Sequence, residues 1–147
     1  MELLYRGTRD GMSADSFQNR CNNKGPTISL FKNENGYIFG GYASIDWTGN
    51  GSYRSAPDSF IFTLNNKYNI APTKFPNSDT RYSIYDLSNY GPTFGGGHDI
   101  CIGFNSNYTG LGHSYNDILG KGYSIFKGNN DNDNFNLKEI EVFKLIK

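Results

Sequence analysis

The histidines and cysteines are the side chains of this chain best suited to acid-base or nucleophilic chemistry. Cys101 stands three residues after His98, and a thiol needs a neighbouring base to raise its thiolate fraction. His113 is followed by Ser114, and together with Asp99 these residues are of the types found in a serine hydrolase triad, which is recognised by geometry and not by order along the chain. One hypothesis is therefore an orphan hydrolase or redox enzyme.

Each of these residues also has a structural interpretation, which the spacing favours. Residues three apart in an extended strand point to opposite faces, so His98 does not reach Cys101 unless a bulge shifts the register. Cys101 and Cys21 are then expected to be reduced thiols, packed as small apolar side chains. We expect His98 to order the glycine turn by hydrogen bonding to the backbone, and His113 to do the same in its loop. This interpretation favours a protein without a catalytic site.

The segment rich in asparagine and aspartate near the C-terminus is comparable to a calcium loop. An EF-hand loop places a bidentate glutamate at its twelfth position and a glycine at its sixth. Counted from Asn130, Glu141 falls at the twelfth position, with Asp131 and Asp133 as further candidate ligands, but Phe135 stands at the sixth. We expect an ordinary solvated loop. We also expect no cofactor and no small-molecule substrate, since the chain contains neither a zinc-type spacing nor a phosphate-binding glycine motif.

A run of three glycines, Gly95-Gly96-Gly97, precedes His98 and the expected strand Asp99–Phe104. Glycine allows a backbone to be approached closely and to adopt positive φ. A shorter pair, Gly40-Gly41, lies in an upstream strand that is otherwise aromatic. We expect a bulky group to cross the backbone at both places.

The elements that would position these residues are mostly strands. Ser13 is expected to cap a short helix with Phe17 and Cys21 on its apolar face. Alternating apolar residues predict these strands: Thr27–Lys32, Tyr37–Ala43, Phe60–Leu64, Tyr82–Tyr85, Asp99–Phe104 and Leu137–Ile146. The last is expected to be internal, and loops are expected at 47–58, 65–80 and 105–116. The fold class is therefore α+β, mainly β, as a two-sheet antiparallel β-sandwich flanked by short helices.

Size and charge limit the function classes. A length of 147 residues predicts one domain over 1–147. Fourteen basic and fourteen acidic side chains cancel, which argues against a nucleic acid partner. The chain contains no apolar run of the roughly 20 residues that a membrane-spanning helix needs, and no signal peptide pattern. We expect no membrane insertion and a cytoplasmic location.

Four stretches together resemble a TLDc domain in their order and spacing: Leu3–Gly11, Ile38–Tyr42, Thr93–Gly97 and Glu139–Phe143. The resemblance covers almost the whole chain and is strongest to the protist type, which carries Gly-Pro-Thr-Phe-Gly-Gly-Gly-His-Asp, here residues 91–99. The chain differs from the animal oxidation-resistance type, in which the glycines are followed by an aromatic and acidic strand with a tryptophan.

The resemblance implies a fold and a function. It implies a two-sheet antiparallel sandwich, an association with oxidative-stress resistance, and binding or regulation of the vacuolar proton-pumping ATPase by a family without established enzymes. The leading hypothesis is thus a non-catalytic protein-interaction domain with ATPase subunits as partners. The binding residues expected are Gly95, Gly96, Gly97, His98, Asp99 and His113.

Overall fold

The computed structural model describes residues 1–127 and 132–145, and it is built mainly from short antiparallel strands. The strands are β1 (Glu2–Arg6), β2 (Thr27–Asn33), β3 (Ile38–Ala43), β4 (Asn50–Arg54), β5 (Phe60–Thr63), β6 (Thr73–Pro76), β7 (Ile84–Leu87), β8 (Ile100–Ile102), β9 (Asn107–Thr109) and β10 (Leu137–Lys144). The helices are α1 (Gly7–Asp10) and α2 (Ala14–Cys21), with 3₁₀-helices at Thr80–Tyr82 and Gly122–Ile125. The predicted mainly β fold class is confirmed.

The larger layer is a six-stranded sheet in the order β1-β10-β2-β3-β5-β6. Alternate apolar residues point to one face, where Phe31, Phe39, Ile61 and Val142 are buried. The strand β10 pairs with β1 on one side and β2 on the other, which confirms its predicted internal position. The buried face of this sheet forms one wall of the core.

The second layer is built around Phe94. Strands β4 and β7 pair with each other, as do β8 and β9. Phe94 joins the two pairs through β-bridges to Ile84 and Ile100. Its ring is buried and packs edge to face on Trp47 and Tyr115, at centroid distances of 5.8 and 6.3 Å. The chain thus forms two antiparallel layers with an aromatic interior.

The upstream glycine pair, Gly40-Gly41, contacts the segment that carries the downstream glycine run at the place where the two layers pack. A β-carbon at Gly41, on the buried face of β3, would overlap the ring of Phe94. Phe94 itself immediately precedes the three-glycine run. The expectation that a bulky group crosses the upstream glycines is confirmed, and that group comes from the downstream glycine sequence.

The predicted helix α2 is confirmed with its cap. The Ser13 hydroxyl accepts a hydrogen bond from the Ser16 backbone amide at 3.2 Å. Phe17 and Cys21 are buried on one face, and the Phe17 ring packs against Tyr5 and Trp47 at 6.0 and 5.9 Å. The helix is therefore fixed against the edge of the core.

Several short elements differ from the sequence-based expectation. The segments expected to be loops contain β4, β6 and β9, and the N-terminal residues form β1. These strands are three to five residues long, and most are rich in polar or glycine residues, so they lack a clear alternating signal. The glycine run does not enter a strand: residues 95–98 form a turn, and β8 begins only at Ile100.

Two further features concern the cysteines and the helices. Cys21 and Cys101 are both unbridged and buried. Within residues 1–127 and 132–145, no helix is long and apolar enough to cross a membrane.

Substituting Gly41→Ala is expected to lower the free energy of unfolding by about 1–3 kcal/mol, because the added methyl group crowds the Phe94 ring between two packed layers. Urea denaturation monitored by fluorescence measures this change. Phe94→Leu in the Gly41→Ala background supplies the control. The smaller side chain relieves the crowding, so the double variant should lose less stability than the sum of the single losses. Additive losses would contradict this packing.

Candidate functional site

The glycine run forms a tight turn between Phe94 and Ile100. The backbone amide of each of these residues donates to the carbonyl of the other, at 2.8 and 3.2 Å. Inside the turn, the His98 amide donates to the Gly95 carbonyl at 3.1 Å. Gly95 has a φ of +95°, and a β-carbon there would overlap the Asp99 carboxylate. Only glycine fits this position without strain.

Asp99 lies beneath the turn and holds the loop that follows β9. Its side chain is fully buried. Its carboxylate accepts hydrogen bonds from four consecutive backbone amides, those of Gly112, His113, Ser114 and Tyr115, at 3.0 to 3.2 Å. Burial raises the pKa of Asp99 and these amides oppose that shift. The carboxylate therefore binds the protein's own backbone, as an anion binds in a nest of amides.

The loop held by Asp99 packs on the turn. The imidazole of His113 lies so close to Gly97 that a β-carbon there would overlap the ring. The hydroxyl of Ser114, which is 1% exposed, accepts a hydrogen bond from the Gly96 amide at 2.7 Å. Turn and loop thus form one rigid unit, and His113 is on its exposed side.

An open cavity of about 550 Å³ lies beside this unit. It is lined by Tyr53, Asp79, Tyr82, Gly96, Gly97, His113 and Ser114. Tyr82 is 36% exposed, and its ring packs edge to face on Tyr53 at 5.1 Å. Of the predicted residues, Gly96, Gly97 and His113 therefore border the cavity, whereas Gly95 and Asp99 support it from below.

His98 is surrounded by tyrosines. Its Nδ1 is 2.7 Å from the Tyr108 hydroxyl, and its Nε2 is 3.2 Å from the Tyr53 hydroxyl. The rings of Tyr85 and Tyr90 pack on the imidazole at 4.9 and 5.9 Å. Burial lowers the pKa of His98, since a charged imidazole would be poorly solvated there. Its surroundings therefore favour the neutral form of the side chain. Contrary to the expectation, its ring bonds to tyrosine hydroxyls and not to the backbone.

The candidate nucleophiles are not paired with a base. Cys101 is 1% exposed, and burial raises the pKa of its thiol to about 11, so it carries almost no thiolate at neutral pH. The Ser114 hydroxyl is bonded to the Gly96 amide. Among the hydrogen bonds of the described residues, the His98 ring bonds to tyrosines, and neither imidazole bonds to a serine, a cysteine or a carboxylate. This arrangement offers no activated nucleophile.

The calcium candidates do not converge in the part of the chain that the structure describes. Asp131 lies outside the described residues, and Asp133 is exposed. Glu141 is paired with the Arg6 guanidinium, its Oε2 lying 2.7 Å from Nη2 and 2.8 Å from Nε. Within residues 1–127 and 132–145 there is no group of three or more histidine, cysteine, aspartate or glutamate side chains arranged to hold a metal ion.

Comparison with known proteins identifies the architecture just described. The family model of the TLDc domain matches residues 1–146. The chain belongs to the TLDc family. A curated relative is the MTOR-associated protein MEAK7 of Danio rerio, which is 31% identical over 62 residues. The aligned region covers 42% of this chain and 14% of the relative, so the similarity concerns a small part of that larger protein.

Sequence reasoning missed a second buried carboxylate of this TLDc domain. Asp86 of β7 accepts hydrogen bonds from the amides of Thr48 and Gly49, at 3.0 and 2.8 Å, and from the Thr48 hydroxyl at 2.6 Å. It also pairs with Arg54 at 3.0 Å. These bonds fix the segment that carries Tyr53 into the cavity. In the sequence, the only signal for this role is that Asp86 is two residues after Ile84. In an alternating strand it therefore points to the same, buried side.

Replacing Asp99 with alanine is expected to destabilise the fold by about 3 kcal/mol, because it removes the acceptor from four amides in a buried loop. The same change should speed amide hydrogen exchange at residues 112–115, measured by mass spectrometry or NMR. Asp99→Asn is the matched control. Its amide oxygen can still accept most of these bonds, so it should lose less stability and show less exchange. Equal protection of this loop in wild type and Asp99→Ala would contradict the role of the carboxylate.

Stability is expected to fall on acidification because of His98. The unfolded chain protonates this imidazole near its ordinary pKa of 6.5, whereas the folded pKa is lower. The unfolded state therefore binds more protons below that pH, and stability is lost as pH falls from 6.5 through the folded pKa. Urea denaturation at pH 7 and at about pH 5 measures the loss.

His98→Asn isolates this contribution, since asparagine tolerates the positive φ of +54° and does not titrate. Wild type should lose more stability between the two pH values than the variant. The raised pKa of Asp99 has the opposite effect on stability, which it increases as pH falls. Wild type and variant both contain Asp99, so this contribution is common to the two proteins. An identical loss in the two proteins would contradict the prediction.

Proposed function

We propose that this TLDc domain is a non-catalytic protein-interaction module. Its docking surface is formed by Gly96, Gly97 and His113 with the neighbouring rings of Tyr53 and Tyr82, here called the glycine-turn surface. Gly95, His98 and Asp99 support this surface from within. The observation that carries the proposal is the cavity of about 550 Å³ built on a turn and a loop that one buried carboxylate holds together.

Rigidity supports a docking role. A surface that is already ordered before binding loses little conformational entropy when a partner docks. The exposed tyrosine and histidine rings add apolar area with polar tips, a composition enriched at the centres of protein interfaces. The buried, protonated thiol and the occupied serine hydroxyl favour docking over covalent catalysis.

The partner proposed is the vacuolar proton-pumping ATPase, which the family resemblance implies, bound from the cytoplasm. Resistance to oxidative stress is proposed as a consequence of that interaction. The name of the relative MEAK7 states an association with MTOR, so an MTOR-containing assembly is the partner to compare with the ATPase in the same experiment.

Exchanging both exposed rings, in the double variant Tyr82→Ala and His113→Ala, is expected to reduce capture of ATPase subunits at least about tenfold, the loss that 1.4 kcal/mol of binding energy produces. The immobilised chain is incubated with native cytosol and membranes, with and without oxidant, and bound proteins are quantified by mass spectrometry. The rings lie at the surface, so the fold should persist, and circular dichroism checks this.

The control is Ile118→Ala, which removes a side chain that is 54% exposed and does not line the cavity. This variant should capture the same proteins as wild type. Equal capture by wild type and the double variant would reject the glycine-turn surface. Capture of an MTOR assembly without ATPase subunits would reject the ATPase as the partner while retaining the surface.

A further inference from the structure

The tyrosine-histidine contact beside the glycine turn has a defined proton arrangement. The Tyr53 hydroxyl donates its only hydrogen to the Gly96 carbonyl at 2.9 Å. Its contact with His98 at 3.2 Å therefore requires the hydrogen to be on Nε2 of the imidazole. A neutral His98 with a protonated Nε2 has a bare Nδ1, so the Tyr108 hydroxyl donates to Nδ1 across 2.7 Å.

This arrangement gives Tyr108 a property that the other tyrosines packed around His98 lack. Removing an electron from a phenol makes it a strong acid, so the oxidation is easier when a base is already in place to accept the phenolic proton. The bare Nδ1 of His98 is such a base. Among the tyrosines packed around His98 in the described structure, Tyr53 directs its hydrogen to a carbonyl, and Tyr85 and Tyr90 contact the imidazole through their rings.

Cys101 lies next to this pair. Cys101 of β8 is directly opposite Tyr108 of β9 in the antiparallel pair, so the two side chains are neighbours on the same face. Because burial keeps the thiol protonated, it is a poor nucleophile but retains the S–H bond from which a hydrogen atom can be taken. Tyr108 and Cys101 both line a separate surface cavity of about 350 Å³, together with Tyr90 and Asn105. Cys101 is only 1% exposed whereas Tyr108 is half-buried, so a small molecule in that cavity would contact Tyr108, with Cys101 behind it.

We propose that Tyr108, His98 and Cys101 form a one-electron relay that reduces a small radical oxidant. In the first step Tyr108 gives one electron to the oxidant and its phenolic proton to Nδ1 of His98, leaving a neutral phenoxyl radical and an imidazolium. In the second step the S–H bond of Cys101 breaks and its hydrogen atom re-forms the O–H bond of Tyr108, leaving a thiyl radical on Cys101. The imidazolium then releases its additional proton to water.

This activity goes beyond the docking function and does not depend on it. The relay uses the cavity beside Tyr90 and Asn105, whereas the glycine-turn surface uses the cavity beside Tyr82 and His113. The two proposals can therefore be tested independently. Substituting Tyr82 and His113 leaves the relay residues unchanged, and substituting Tyr108 leaves the docking rings in place.

The test uses the azide radical, generated by pulse radiolysis of the intact chain, and follows the absorbance of the phenoxyl radical. Azide radical gains one electron and becomes azide, which completes the balance of the first step. Wild type should show a fast phase of phenoxyl formation. Tyr108→Phe should lose this phase, and His98→Asn should lose it with Tyr108 still present. Tyr85→Phe is the matched control and should retain it, because it removes a hydroxyl from the same cluster without removing a proton acceptor.

Cys101→Ser tests the second step. Serine keeps a hydroxyl that can bond to Tyr108 but does not readily give up a hydrogen atom, so the phenoxyl radical should persist longer than in wild type. Spin trapping of the wild-type chain, followed by mass spectrometry, should locate adducts on Tyr108 and Cys101 and requires no variant to fold.

Two results would overturn the relay. One is a fast phase of equal rate and amplitude in Tyr108→Phe or His98→Asn. The other is trapping only on exposed tyrosines such as Tyr68 and Tyr82, with none on Tyr108 or Cys101. An unchanged phenoxyl lifetime in Cys101→Ser would exclude the thiol as the hydrogen-atom donor.

Discussion

The packing of the Phe94 ring on the bare backbone of Gly41 is the contact on which the rest of the structure depends. It brings the six-stranded sheet against the second layer at a distance that a β-carbon would prevent. The same residue pairs with Ile84 and Ile100, so the core contact also fixes both ends of the turn that follows. The glycine-turn surface is thus an extension of the core and inherits its rigidity.

Two buried carboxylates order the segments around that turn. Asp99 accepts hydrogen bonds from the backbone amides of residues 112–115, and Asp86 accepts them from the amides of Thr48 and Gly49. Both side chains bind backbone groups that a loop would otherwise leave unsatisfied on burial. Side chains that are suited by type to acid-base chemistry are therefore used for architecture, which agrees with the docking role that we propose.

The tyrosines around His98 are the part of the same scaffold on which the proposed relay depends. Burial among aromatic rings lowers the pKa of His98, which favours the neutral imidazole. The Gly96 carbonyl takes the Tyr53 hydrogen, so the hydrogen between Tyr53 and His98 belongs to Nε2 of the imidazole. Nδ1 of His98 is then free to accept the proton of Tyr108, and no charged side chain is needed to place this acceptor there. Burial of Cys101 in the same region keeps its thiol protonated. Burial thus disfavours nucleophilic chemistry at Cys101, and the relay that we propose relies on the same burial.

The features of this protein that have local signals could be predicted from its amino-acid sequence. The Ser13 cap, the alternation in β2 and β10, and the need for close backbone approach at Gly41 and at Gly97 were all predictable, because each depends on a few neighbouring residues. The remaining features depend on contacts that exist only once the chain is folded. Strands as short as β4, β6 and β9 form because a partner strand supplies their hydrogen bonds, and Asp99 and His98 acquired their partners from segments that the fold brings together. Those contacts join residues distant in the chain, so no local pattern encodes them.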